Sequence, residues 1–101
     1  MDVVFKNLEK RIPRLYETEC VQLEDKIAAV KLQEAGTTKC WFVVEGEKLG
    51  NDFIFWGMIF DNHSRSYDFF TLNDLASESL SLKARIEEDI DFRPTKLSMI
   101  Q

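Results

Sequence analysis

The chain has 101 residues, 45% of them hydrophobic, with eight Phe and two Trp. That is the size of one domain with enough apolar material for a packed core, which excludes wholesale disorder. Eighteen acidic against 13 basic residues leave a net charge of −5, so direct nucleic-acid binding is not expected, whereas a basic partner suits such a surface.

Met1 to Lys6 lacks a basic region followed by a long apolar stretch, and the longest apolar run spans only Phe53 to Phe60. A membrane helix needs about 20 apolar residues, so the expectation is a chain with no membrane partner, located in the cytoplasm.

In chain order, Phe5, Leu8 and Ile12 share a helical stripe with Val4, predicting a helix from Asp2 to Ile12 that Pro13 ends. Leu15 to Glu19 reads as irregular or briefly extended. Asp25–Glu34 reads as a strand with Ala28, Val30 and Leu32 on one face. Ala35 to Thr38 is a turn in which Gly36 can take positive φ. Two apolar, aromatic runs, Lys39–Glu47 and Asp52–Asp61, then flank a polar segment and predict a β-hairpin. On the first, Trp41 and Val43 share a face with Glu45 and Glu47, while Cys40, Phe42 and Val44 face the other way. The second, from Phe53 to Phe60, does not alternate, so both its faces need cover: a helix on one side and something else, a partner among the options, on the other.

Asp61 to Ser64 is the next turn, and Arg65–Thr71 a fourth strand on which Tyr67 and Phe69 oppose Asp68 and Phe70. Thr71 caps a short helix, with Asp74 completing a capping box. Ser81 starts a second helical piece carrying Leu82, Ile86 and Ile90, although Glu87 to Asp89 oppose the macrodipole at its end. Pro94 enforces extended backbone, and Leu97 and Ile100 of the tail are placed to dock. The expected fold class is α+β: a single domain over residues 1–101, with a four-stranded antiparallel meander, an N-terminal helix and one or two short C-terminal helices.

Little in the chain points to chemistry. His63, the only histidine, sits in a turn without a nucleophile motif, and no Walker or G-x-G-x-x-G pattern occurs. Cys20 and Cys40 cannot supply four metal ligands, and a disulfide between them is disfavoured in a reducing compartment. Asn62-His63-Ser64 matches a glycosylation acceptor by chance in a polar turn. Catalytic residues, metal and cofactor are all expected to be none. The candidates for partner binding are Tyr16, Glu24, Asp25, Trp41, Glu45, Glu47, Asp52 and Trp56. The carboxylates gather towards one end of the sheet, and tryptophans are favoured interface anchors.

Leu15 to Glu19, Leu23 to Lys26, Trp41 to Glu47, Asp52 to Gly57, Tyr67 to Leu72 and Glu88 to Pro94, in that order, resemble the pattern of a small bacterial family, the domain of unknown function numbered 2958. The chain departs from it in the polar Asp61–Ser66 turn and at Asp68, where the family has glycine. The resemblance implies an accessory protein of plasmids, integrative elements and phages, and brings no catalytic residue with it. On that basis the leading expectation is a non-enzymatic binding protein of a mobile element. It would be an anti-defence inhibitor (anti-CRISPR or anti-restriction) that docks on a host protein or nuclease complex. The alternatives are a small-ligand binder or enzyme using Tyr16, Glu24, Asp25, Lys26, Glu45 and Glu47, and a homodimeric structural module.

Overall fold

A computed structural model of the chain describes residues 8–75 and 86–100. Two long strands dominate: β3 (Cys40–Leu49) and β4 (Asp52–Asp61), joined through Gly50 at φ +62°. Before them come α1 (Leu8–Arg11), a 3-10 turn (Leu23–Asp25), β1 (Ile27–Ala28) and β2 (Val30–Glu34). After them come β5 (Ser64–Thr71), a helical turn at 72–75, β6 (Ile86–Glu88), β7 (Thr95–Lys96) and a 3-10 turn (Leu97–Met99). Positive φ at both Asn62 and His63 closes the β4–β5 hairpin with the backbone twist that two-residue loops favour.

The fold is mixed helix and sheet, mostly strand. The expected meander is present as β2 to β5, but β6 pairs with β2 on the far side, giving a five-stranded sheet in the order β5-β4-β3-β2-β6. Every strand pair is antiparallel. A second sheet of two strands joins β1 to β7.

The four-strand expectation is corrected at the C-terminal side. Residues 86–88, expected in a helix, instead form β6; the start of that helix, and the Phe5 end of the N-terminal one, lie outside the described residues. Extended backbone suits Ile86 and its neighbours better, for electrostatic reasons. Ile86 enters the core, Glu88 on the same face pairs with Arg11 of α1, and Asp89 reaches Lys31 at 3.6 Å. No run of acids is then aligned with the negative end of a helix.

The expected strand over Asp25–Glu34 is also corrected, because it breaks at Ala29. The break flips the pleat, so Val30 and Leu32 enter one cluster while Ala28 enters the other. On one face Leu8, Ile12 and Leu75 cover Val30, Leu32, Trp41, Val43, Phe53, Phe55, Phe70 and Ile86. On the opposite face Leu97, Ile100 and Phe92 of the C-terminal segment cover Ala28, Cys40, Phe42, Val44 and Met58. The second cover that β4 requires is thus supplied in part by the chain's own tail. The capping box is formed as expected. Thr71 Oγ1 accepts the Asp74 N–H at 3.0 Å, and Asp74 Oδ2 accepts the Thr71 N–H at 3.2 Å.

Candidate docking face

The site begins with a slip in the ladder between β3 and β4. Val43 stands opposite Gly57, yet the next pair is Glu45 with Trp56, which leaves Val44 as an extra residue. Such a bulge reverses the pleat for every residue beyond it. Glu45 and Glu47 therefore lie on the face of Phe42, Trp56 and Ile54. This corrects the expectation that they share a face with Trp41 and Val43. Gly57 allows the slip: a Cβ there would lie 2.0 Å from the Phe42 carbonyl oxygen and 3.1 Å from Val43 Cα.

Moved to this face, Glu45 becomes an internal clamp, only 5% exposed. Its Oε1 accepts the Tyr16 N–H at 2.9 Å; its Oε2 accepts the Thr18 N–H at 2.9 Å and the Thr18 hydroxyl. Tyr16 reaches this geometry at φ +67°, a left-handed conformation that costs a non-glycine residue about 1–2 kcal/mol and is held here by the carboxylate. The Gly46 N–H adds a bond to the Pro13 carbonyl at 2.9 Å, so the irregular 13–26 segment is tied to β3 twice. Lys26 Nζ donates to the Thr18 carbonyl and to Thr18 Oγ1 (3.0 Å for the latter), and lies 5.6 Å from the centroid of the Trp56 ring.

The clamp holds one wall of an open cavity of about 250 Å³ lined by Tyr16, Glu19, Lys26, Glu45, Trp56 and Phe69. The Tyr16 and Phe69 rings stand 6.5 Å apart, and Trp56 stacks on Tyr67 at 6.4 Å. Tyr16, Tyr67 and Phe69 are 64%, 40% and 43% exposed. The C-terminal segment covers the neighbouring half of this face, through Phe92 on Phe42 at 5.7 Å and through the Arg65 guanidinium donating to the Ile100 carbonyl. The half towards Trp56, Tyr67 and Phe69 stays open.

Of the candidate residues, the structure brings together Tyr16, Glu45 and Trp56. Glu47 lines a separate polar groove of about 360 Å³ with Glu9, Arg14, Gly46 and Lys48. Glu24 and Asp25 are exposed on the 3-10 turn, Asp25 lying 3.9 Å from Lys96. Trp41 is buried on the opposite face at 2% exposure. Asp52 is an internal fastener: its Oδ1 accepts the Phe53 N–H at 2.7 Å and the Asn73 N–H at 3.1 Å. Sequence reasoning misses Tyr67 and Phe69 as site residues. Their shared parity on β5 is legible, but not their pairing with Met58 and Trp56.

Among the described residues no group of three or more His, Cys, Asp and Glu is placed to hold a metal ion, and no helix is long and apolar enough to cross a membrane. Comparison with known proteins gives no match to a family model, a curated protein or a solved structure.

Proposed function

We propose that the chain is a non-enzymatic binding protein that docks on a partner protein through the Tyr16–Trp56–Tyr67–Phe69 face. The observation that supports this reading is the uncovered aromatic half of a sheet face whose other half the tail covers. Aromatic side chains left open beside a folded loop are the usual anchors of interfaces. Glu17 and Glu19 are exposed on the loop that carries Tyr16, and with a net charge of −5 they favour a partner with basic side chains around an apolar centre. The resemblance to the mobile-element family adds the kind of partner: a host nuclease or defence complex, which docking would inhibit.

The small-ligand reading is weaker. Its six polar residues divide between the aromatic cavity, the Glu47 groove and the exposed 3-10 turn.

Affinity capture from cells carrying CRISPR or restriction systems, paired with an inhibition assay, tests the proposal. Tyr16→Ala with Phe69→Ala is expected to abolish capture and inhibition while circular dichroism stays native. A desolvated aromatic anchor contributes about 2–4 kcal/mol to affinity. Glu47→Lys should change mainly the association rate, and His63→Ala and Cys20→Ser should change nothing. Loss of activity in a folded His63→Ala protein would defeat the docking model.

A further inference from the structure

The edge of the sheet at β5 borders the aromatic face, to which Tyr67 and Phe69 belong, and it offers backbone hydrogen-bonding groups where that face offers side chains. β5 is eight residues long, and Ser64 to Phe69 are all exposed. Two of its N–H groups show which way the outer hydrogen-bonding groups point. The Phe69 N–H is taken by Asp68 Oδ1 at 2.7 Å and the Thr71 N–H by Asp74 Oδ2 at 3.2 Å, so neither is given to β4. In an antiparallel ladder alternate residues turn both backbone groups to the same side, so Arg65 and Tyr67 also face outward. Among the described residues no strand pairs with β5 on that side, and long open edges are templates for a further strand.

We infer that the strand completing this edge is β5 of a second copy of this chain, paired antiparallel about a two-fold axis at Tyr67. Such an axis, perpendicular to the sheet, keeps each face continuous and places residues of like pleat opposite one another. Two registers then overlap the strands almost fully. One sets Asp68 opposite the second copy's Asp68, and like charges directly opposed are destabilising. The other sets Tyr67 opposite the second copy's Tyr67, Arg65 opposite its Phe69, and Ser66 opposite its Asp68. In that register every charge meets a neutral side chain, and the Ser66 hydroxyl can donate to the facing carboxylate. Asp68 then exchanges its bond with the Phe69 N–H for one across the interface, freeing that N–H for the second copy's Arg65 carbonyl. Ser66 and Asp68 form the closer, non-hydrogen-bonded type of pair, which makes their side chains the most sensitive point of the register. The Trp56–Tyr67 stack would continue across the axis as one aromatic stripe shared by both copies.

Light scattering during size exclusion, with sedimentation equilibrium, reads the outcome as a mass of 11.8 kDa or twice that value. The chain is expected to be a dimer. Ser66→Asp sets two carboxylate pairs against each other and should raise the dimer dissociation constant roughly tenfold, whereas Ser66→Lys should leave it unchanged or lower it. Tyr67→Pro removes an outward N–H without touching the β4 ladder and should give a folded monomer by circular dichroism. A wild-type monomer at every concentration would overturn the inference. So would a dimer indifferent to both Ser66→Asp and a folded Tyr67→Pro. Because the edge is tested by mass and the aromatic face by capture, either reading can fail without the other.

Discussion

Glu45 and Trp56 stand directly opposite each other across β3 and β4, and they do so because Val44 is an extra residue in the ladder. One inserted residue carries a carboxylate from the Trp41 face to the Trp56 face. There it finds two backbone N–H groups of the 13–26 loop in place of solvent.

Removing that carboxylate should loosen the loop. Glu45→Ala leaves the Tyr16 and Thr18 N–H groups without their acceptor, and bonds to a charged group contribute about 1.5–3 kcal/mol each. A loss of about 2–3 kcal/mol in urea unfolding is expected, with faster hydrogen exchange at Thr18. Unchanged exchange there would show that the clamp does not hold the loop.

Gly57→Ala should be among the most damaging single-methyl changes in the chain. The added carbon would sit 2.0 Å from a backbone oxygen, which cannot swing aside as a flexible side chain would. A cost of about 3 kcal/mol, the upper end for overpacking, is expected in thermal or urea melts. Limited proteolysis should also open the 13–26 loop, because β3 would have to give up the slip that positions Glu45.

Phe55 and Phe69 should separate stability from binding. Phe55 is fully buried against Phe53 and Phe70, at centroid distances of 5.0 and 5.4 Å. Its truncation to Ala should cost about 3–5 kcal/mol. Truncating the exposed Phe69 removes one cross-strand pair with Trp56, a loss of only about 0.2–1 kcal/mol. Comparable melting temperatures for the two variants would contradict the assignment of inner and outer faces.

The two thiols should react at very different rates. Cys20 is exposed, whereas Cys40 is buried and its thiol is pushed above the ordinary 9.0 by burial, with the Lys31 charge pulling the other way. A thiol reagent in mildly alkaline buffer should modify one cysteine per native chain and both after denaturation. The same shift sets a pH dependence. The folded chain holds the Cys40 proton more tightly than the unfolded chain, so this contribution to stability is present below pH 9.0 and falls as pH rises through and beyond it.

Local rules make much of this protein legible from its residues alone. The β3–β4 hairpin, the turn at Asn62-His63, the Thr71–Asp74 capping box and the docking of Leu97 and Ile100 all follow from patterns within a few residues of each other. Pleat and cap geometry are short-range, so composition and spacing suffice for them. Only the tertiary structure decided which face Glu45 occupies, because that depends on the Phe42 backbone meeting a glycine on the neighbouring strand. The same holds for Ile86–Glu88, whose helical spacing yields to a strand once β2 offers an open edge and Arg11 and Lys31 offer partners for Glu88 and Asp89. It holds again for the aromatic face. Trp56 and Phe69 face each other across β4 and β5, and Tyr16 joins them only because a buried carboxylate ties a loop onto the sheet. A bulge moves side chains by one residue, a shift smaller than any sequence periodicity can register, yet it reverses which residues reach the surface.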